Sequence, residues 1–130
     1  MKRNRGKSIF ILIVVLLMIT LGFGFREVLS NTPEVASHNL LGSKDNVVYI
    51  SPDGHKEAVY NGKTGELVTD PTNMGSYNYY DYRKAPMSHF IFDTLPWILW
   101  GNSPEDTSLM SQRIFAFIED FKYGISLTFE

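Results

Sequence analysis

Three kinds of hydrophobic pattern follow one another along this chain. From position 9 to 25 the run IFILIVVLLMITLGFGF is apolar without a break, Thr20 being its one polar side chain. Its seventeen residues would rise roughly 25 Å as a helix, the short end of what a bilayer core of about 30 Å requires. A helix apolar on every side has no partner large enough in so short a chain, so the run predicts a membrane-spanning segment. Residues 26–45 mix polar side chains with Pro33 and Gly42 and hold no period, which reads as a tether.

The second pattern is short and β-branched. Val47–Ile50, Glu57–Tyr60 and Glu66–Thr69 are separated by Ser51-Pro52-Asp53-Gly54 and by Asn61-Gly62-Lys63-Thr64-Gly65. Both separators carry turn chemistry, and the spacing predicts a three-stranded antiparallel meander. Residues 70–82 have no period but hold Tyr77, Tyr79, Tyr80 and Tyr82.

The third pattern is helical. Pro86–Gly101 is strongly apolar; Ser88 could cap a short helix that Pro96 ends or kinks after about two turns. Ser103 and Pro104 read as the start of a last helix, with Met110, Ile114, Phe117, Ile118, Phe121 and Ile125 as its buried stripe. Gly124 marks its end, and the tail from Ile125 to Glu130 could add one short strand. The fold class expected is α+β: an N-terminal transmembrane helix, then a small antiparallel meander of three or four strands packed by two C-terminal helices. The chain divides into a basic segment (1–8), the apolar span (9–25), the tether (26–45) and one small domain (46–130).

Charge sets an orientation. Lys2, Arg3, Arg5 and Lys7 precede the apolar run with no acid among them, while Arg26 and Glu27 follow it and cancel. The positive-inside rule leaves the basic end in the cytoplasm and sends the domain out. From Arg26 onward eight basic residues face fourteen acidic ones, a balance of −6. A part so acidic, with no basic cluster, is a poor surface for gripping phosphates, so no nucleic acid is expected as a partner. The partners expected are the lipid bilayer, through residues 9–25, and a protein met by the exported domain. With no Cys in the chain, thiol nucleophiles, Cys-based zinc sites and lipoprotein acylation are excluded. A signal-peptidase cut after Val28-Leu29-Ser30 fits loosely, but the apolar run exceeds the usual signal core of about 7–15 residues and ends in bulky Phe23 and Phe25. An uncleaved anchor is the expectation.

Candidate chemistry is sparse. His89 and Asp93, spaced i, i+4, share a helix face, which lets a carboxylate orient an imidazole acting as general base. Catalysis by this pair would need a cleft and a further polar group such as Asp70 or Asn73. No third ligand stands beside them at metal spacing, so neither a metal nor a cofactor is expected. Tyr77, Tyr79 and Tyr80, with Trp97 and Trp100, offer large apolar bodies and polar tips, a recognition surface or simply core packing. Asp53 and His55 are explained by turn chemistry, and His38, alone in the tether, by solvation.

The stretch EAVYNGKTGELVTDPTNMGSYNYYD followed by HFIFDTLPWILWGNSPED resembles a small C-terminal module of bacterial polymorphic toxins and secreted effectors, over roughly residues 54–106. The polar positions matched are Asp70, Asn73, Asn78, His89, Asp93 and Asn102. The resemblance implies a toxin or effector context rather than a reaction, and this chain departs from the pattern in carrying its own apolar run. Three readings follow. The first is a single-pass membrane protein whose exported domain is a protein-interaction module. The second is a small hydrolase or nuclease-like toxin using His89 and Asp93. The third is a membrane-damaging toxin acting through residues 9–25.

Overall fold

The apolar run opens one helix, α1 (Arg5–Ser30), that is longer than the run itself. The structure, a computed structural model, describes residues 5–42 and 45–130. Lys2 and Arg3 of the basic lead and positions 43 and 44 of the expected tether lie outside the described residues. From Ile9 to Phe23 the large apolar side chains of α1 stand exposed. The segment Ile9–Ser30 is long and apolar enough to cross a membrane, with a mean hydropathy of 2.5, a test that a signal sequence also passes.

The end of α1 belongs to the domain. Val28 and Leu29 are each only 5% exposed, and the Phe25 ring meets Phe90 at 5.9 Å and Phe121 at 5.6 Å between centroids. Thr32 bonds back to the carbonyl of Val28 at 2.6 Å, and Pro33 follows, where the chain leaves the helix. The expected tether is therefore corrected: residues 26–30 are helical, and Ser37–Gly42 form a 3₁₀ helix. Ser37, His38 and Leu40 are buried there.

Two strands, β1 (Asn46–Ile50) and β2 (Glu57–Asn61), pair antiparallel, with Val48 opposite Val59. Gly54 closes their turn at φ 80°, a conformation open to glycine, and donates to Ser51 O at 2.8 Å. The expected third strand is reduced to one bridge, Tyr60 with Leu67. Leu67 is exposed, so residues 66–69 have no buried face to hold them in register. The other half of that sheet edge is taken by the tyrosine loop, which bridges Lys56 to Tyr77.

The helix after the loop does not stop at Pro96. It runs as α2 (Pro86–His89), a π-turn (Phe90–Thr94) and α3 (Leu95–Trp100). In the π-turn Leu95 N donates to Phe90 O, and this widening just before Pro96 accommodates a residue that has no N–H to give.

The last helix, α4 (Met110–Phe129), starts later and ends later than its sequence signals. Ser103 and Pro104 lie in a loop organised by Asp106, which accepts from Asn102 N at 2.7 Å and Ser108 N at 2.8 Å. Gly124, expected to end the helix, is interior to it, and the tail is helical rather than a strand. A Cβ at Gly124 would collide with Thr32 Oγ1 and with Val28 O, so glycine here lets α4 approach the end of α1 closely. The buried face of α4 is Arg113, Ala116, Asp120 and Gly124, with Phe117 and Phe121 half-buried; Met110, Ile114, Ile118 and Ile125 are exposed. The apolar core is small: Val28, Leu29, Leu40, Val59, Ile98 and Ala116, with Phe90, Phe117 and Phe121 in ring contact beside it.

Candidate functional site

A set of buried ionisable side chains, drawn from five parts of the chain, stands beside this core. Glu34 follows Pro33, His38 sits in the 3₁₀ helix, Glu57 opens β2, His89 ends α2 and Asp93 lies in the π-turn. Glu34 joins the two histidines, each of which reaches a second carboxylate. His38 Nε2 lies 3.0 Å from Glu57 Oε2 and 4.0 Å from Glu34 Oε2. His89 Nε2 lies 2.8 Å from Glu34 Oε1, and its Nδ1 lies 2.7 Å from Tyr80 O and 3.2 Å from Asp93 Oδ2.

The remaining valences are filled by neighbours. Glu57 Oε1 accepts from Asn78 Nδ2 at 2.7 Å, and His38 Nδ1 faces Asn73 O at 3.3 Å. Asp93 accepts the backbone N–H groups of Tyr79 and Tyr80 at 2.8 and 3.0 Å. On the α4 side Asp120 accepts from Ala36 N and Ser37 N. Buried polar groups are mostly bonded in this way, because an unpaired one costs its full desolvation.

Charge states follow from the contacts. Burial works against a charged His89, but the bond to Glu34 and that carboxylate's charge outweigh it, raising its pKa to about 9. His38 is likewise raised: burial opposes the proton, and the bond to Glu57 wins. Glu57 is held low because His38 and Asn78 overcome its burial. Burial and the neighbouring charge of Glu57 push Glu34 up. Asp120 is pushed up to about 7, chiefly by burial.

Part of this network forms the inner wall of a cleft of about 230 Å³, with Glu57 and His89 behind it. Glu34, His38, Asn78 and Asp93 supply its polar side; Tyr77, Tyr79, Phe92, Trp97 and Trp100 supply the aromatic walls. Trp100 is 75% exposed, Tyr79 68% and Tyr77 59%, large rings kept in water at the rim.

The fold thus gathers some of the residues singled out in sequence and scatters others. His89 and Asp93 come together, and Asp93 borders the cleft while His89 does not. With a proton on His89 at neutral pH and both ring nitrogens engaged, the pair as it stands is an ion-pair clasp. Asp70 is exposed and turns back on its own loop, accepting from Thr72 N and from Asn73 N and Nδ2. Asn73 is buried, its Oδ1 lacking a partner, and neither it nor Asp70 borders the cleft. Tyr80 packs against Phe92, the rings tilted by 38° with centroids 5.6 Å apart, and offers its carbonyl to His89. Asn102 borders the cleft and donates to Pro71 O and Met74 O.

Glu34, His38, Glu57 and Asp120 were not legible as site residues. One signal was available: Glu34 and His38 have the same i, i+4 spacing that drew attention to His89 and Asp93. Among the described residues, Glu34, His38 and Glu57 also form a group of metal-ligating side chains whose donor atoms lie within 4.8 Å of one another. Comparison with protein-family models, with curated proteins and with solved structures finds no match to this chain.

Proposed function

We propose that this chain is a single-pass membrane-anchored protein, its basic end in the cytoplasm and its domain outside, and that the domain is a protein-interaction module. The observation that carries this reading is the aromatic cleft. Tyr77, Tyr79, Trp97 and Trp100 border it, three of them largely exposed. Tyrosine and tryptophan are the side chains that dominate recognition hot spots, since each brings large contact area at little entropic cost. The carboxylates of the cleft wall are already engaged, Glu34 by His89 behind the wall and Asp93 by backbone N–H groups, so recognition rests on stacking and hydrogen bonding more than on charge.

Three further points support the reading. The exposed apolar length of α1 suits a bilayer better than water. Val28 and Leu29 lie in the core, so a cut after Ser30 would remove part of what folds the domain. Catalysis by His89 would require the ring to give up both its proton and its bond to Glu34. The resemblance to polymorphic toxin modules is the reason to look for the partner among toxin and effector systems.

The test is site-specific photo-crosslinking of the full chain in its native membrane. A crosslinker in place of Trp100 is expected to give a discrete protein adduct, reduced about tenfold by Tyr79→Ala. The same group in place of the exposed Tyr123 on α4 is expected to give none. No adduct at position 100, or the same adducts from both positions, would overturn the proposal.

A further inference from the structure

We propose that Glu34, His38 and Glu57 bind a single divalent transition-metal ion at the inner end of the cleft, with Zn²⁺ as the ion that fits best. The site goes beyond the interaction reading and does not depend on it, since the chain alone supplies the ligands.

The donor atoms already face a common point. His38 Nε2 is 3.0 Å from Glu57 Oε2 and 4.0 Å from Glu34 Oε2. Donors about 2.0–2.1 Å from a tetrahedral Zn²⁺ stand roughly 3.3 Å from one another. Closing the set on an ion requires shifts on the order of 1 Å, within the reach of side-chain torsions.

Each ligand is also aimed by a group outside the trio. His38 Nδ1 is turned to the carbonyl of Asn73, which can only accept, so Nδ1 keeps its hydrogen and Nε2 is left for the metal. Asn78 Nδ2 holds Glu57 Oε1 at 2.7 Å, leaving Oε2 to His38 and to a long bond from Ser76 Oγ at 3.4 Å that an ion would displace. His89 Nε2 holds Glu34 Oε1, again leaving Oε2. Outer partners that fix one atom of a ligand and free the other are the usual support of metal centres. An ion pair alone needs no such arrangement at all three members.

Access and donor type agree. Glu34 and His38 border the cleft, so an ion has an entry path and a fourth position open to water. On binding, M²⁺ takes the Nε2 lone pair of His38, and any proton held there leaves to solvent. One imidazole and two carboxylates make a borderline donor set that suits Zn²⁺ better than Mg²⁺ or Ca²⁺, which prefer oxygen throughout.

The experiment uses the full chain in detergent, stripped with a chelator and titrated with Zn²⁺ by calorimetry, with Co²⁺ as an optical probe. The expected result is one ion per chain, release of a proton, a Zn²⁺-dependent rise in melting temperature and the intense visible absorption of four-coordinate Co²⁺. His38→Gln and Glu57→Gln are each expected to weaken binding by roughly 100-fold or more, while Asp53→Asn and Glu66→Gln, at exposed carboxylates, leave it unchanged. Should the two ligand variants fail to fold, the wild-type stoichiometry and Co²⁺ spectrum decide. No Zn²⁺ binding by the folded wild type, a six-coordinate Co²⁺ spectrum, or affinity unchanged in folded His38→Gln would overturn the proposal.

Discussion

His89 and Glu34 stand 55 positions apart in the chain and 2.8 Å apart in the fold. The contact joins α2 to the segment that follows α1, and both side chains are largely shielded from water. Removing one partner of such a pair leaves the other charge buried and alone, which costs about 3–5 kcal/mol. Glu34→Gln is therefore expected to lower the unfolding free energy by about 3 kcal/mol in denaturant titration. A loss below about 1 kcal/mol would give the contact the weight of a surface pair.

The same contact sets an alkaline limit. His89 titrates near 6.5 when unfolded and at about 9 when folded. Its proton is bound more tightly in the native state, so its contribution is complete below about 6.5 and is lost as pH rises through about 9. Wild type should lose stability across that window, and Glu34→Gln should lose much less. Unfolding midpoints measured from neutral to alkaline pH separate the two.

Asp120 works in the opposite chemical sense toward a similar outcome. Its pKa is raised from 3.8 to about 7, so the folded state holds a proton that the unfolded state has already released. Stability contributed by this group falls as pH rises from about 3.8 to 7 and is level above that. Asp120→Asn keeps an oxygen for Ala36 N or Ser37 N and removes the titration. The variant is expected to show a flatter profile from acid to neutral pH, and an unchanged slope would assign the effect to another group.

Arg113 predicts a different kind of loss. Its guanidinium, buried and with no carboxylate partner among the described residues, donates to Ile98 O at 2.9 Å and to Ser108 O at 2.7 Å, with Leu99 O at 3.4 Å. Two of these carbonyls end α3 and have no helical partner of their own. Arg113→Met should destabilise by about 2–3 kcal/mol, and Arg113→Lys should not restore it, because an ammonium cannot reproduce the planar fork. Full rescue by lysine in thermal denaturation would mean that charge, not geometry, is what the site needs.

What could be read from sequence was whatever local chemistry decides. The apolar run of α1 needs no tertiary partner to be recognised, and Pro52-Asp53-Gly54 builds its turn from its own atoms. The polar cluster was hidden because Glu34, His38, Glu57 and His89 meet only after folding, and a lone histidine between two elements looks solvated. The face of α4 was misjudged for a related reason. Hydrophobic periodicity points to Ile114, Ile118 and Ile125, but Arg113 and Asp120 are drawn inward by backbone groups of other segments. Ser103-Pro104 carried a genuine cap signal, used for a turn instead, with Asp106 N bonded to Ser103 O.

The absence of a tether at the end of α1 changes what the helix is mechanically. Leu29 is a helix residue and a core residue at once, and replacing it with Ala should cost about 2–5 kcal/mol, read as a drop in unfolding midpoint. The apolar segment and the domain core therefore share one continuous helix through Leu29, with no loop between them to act as a hinge.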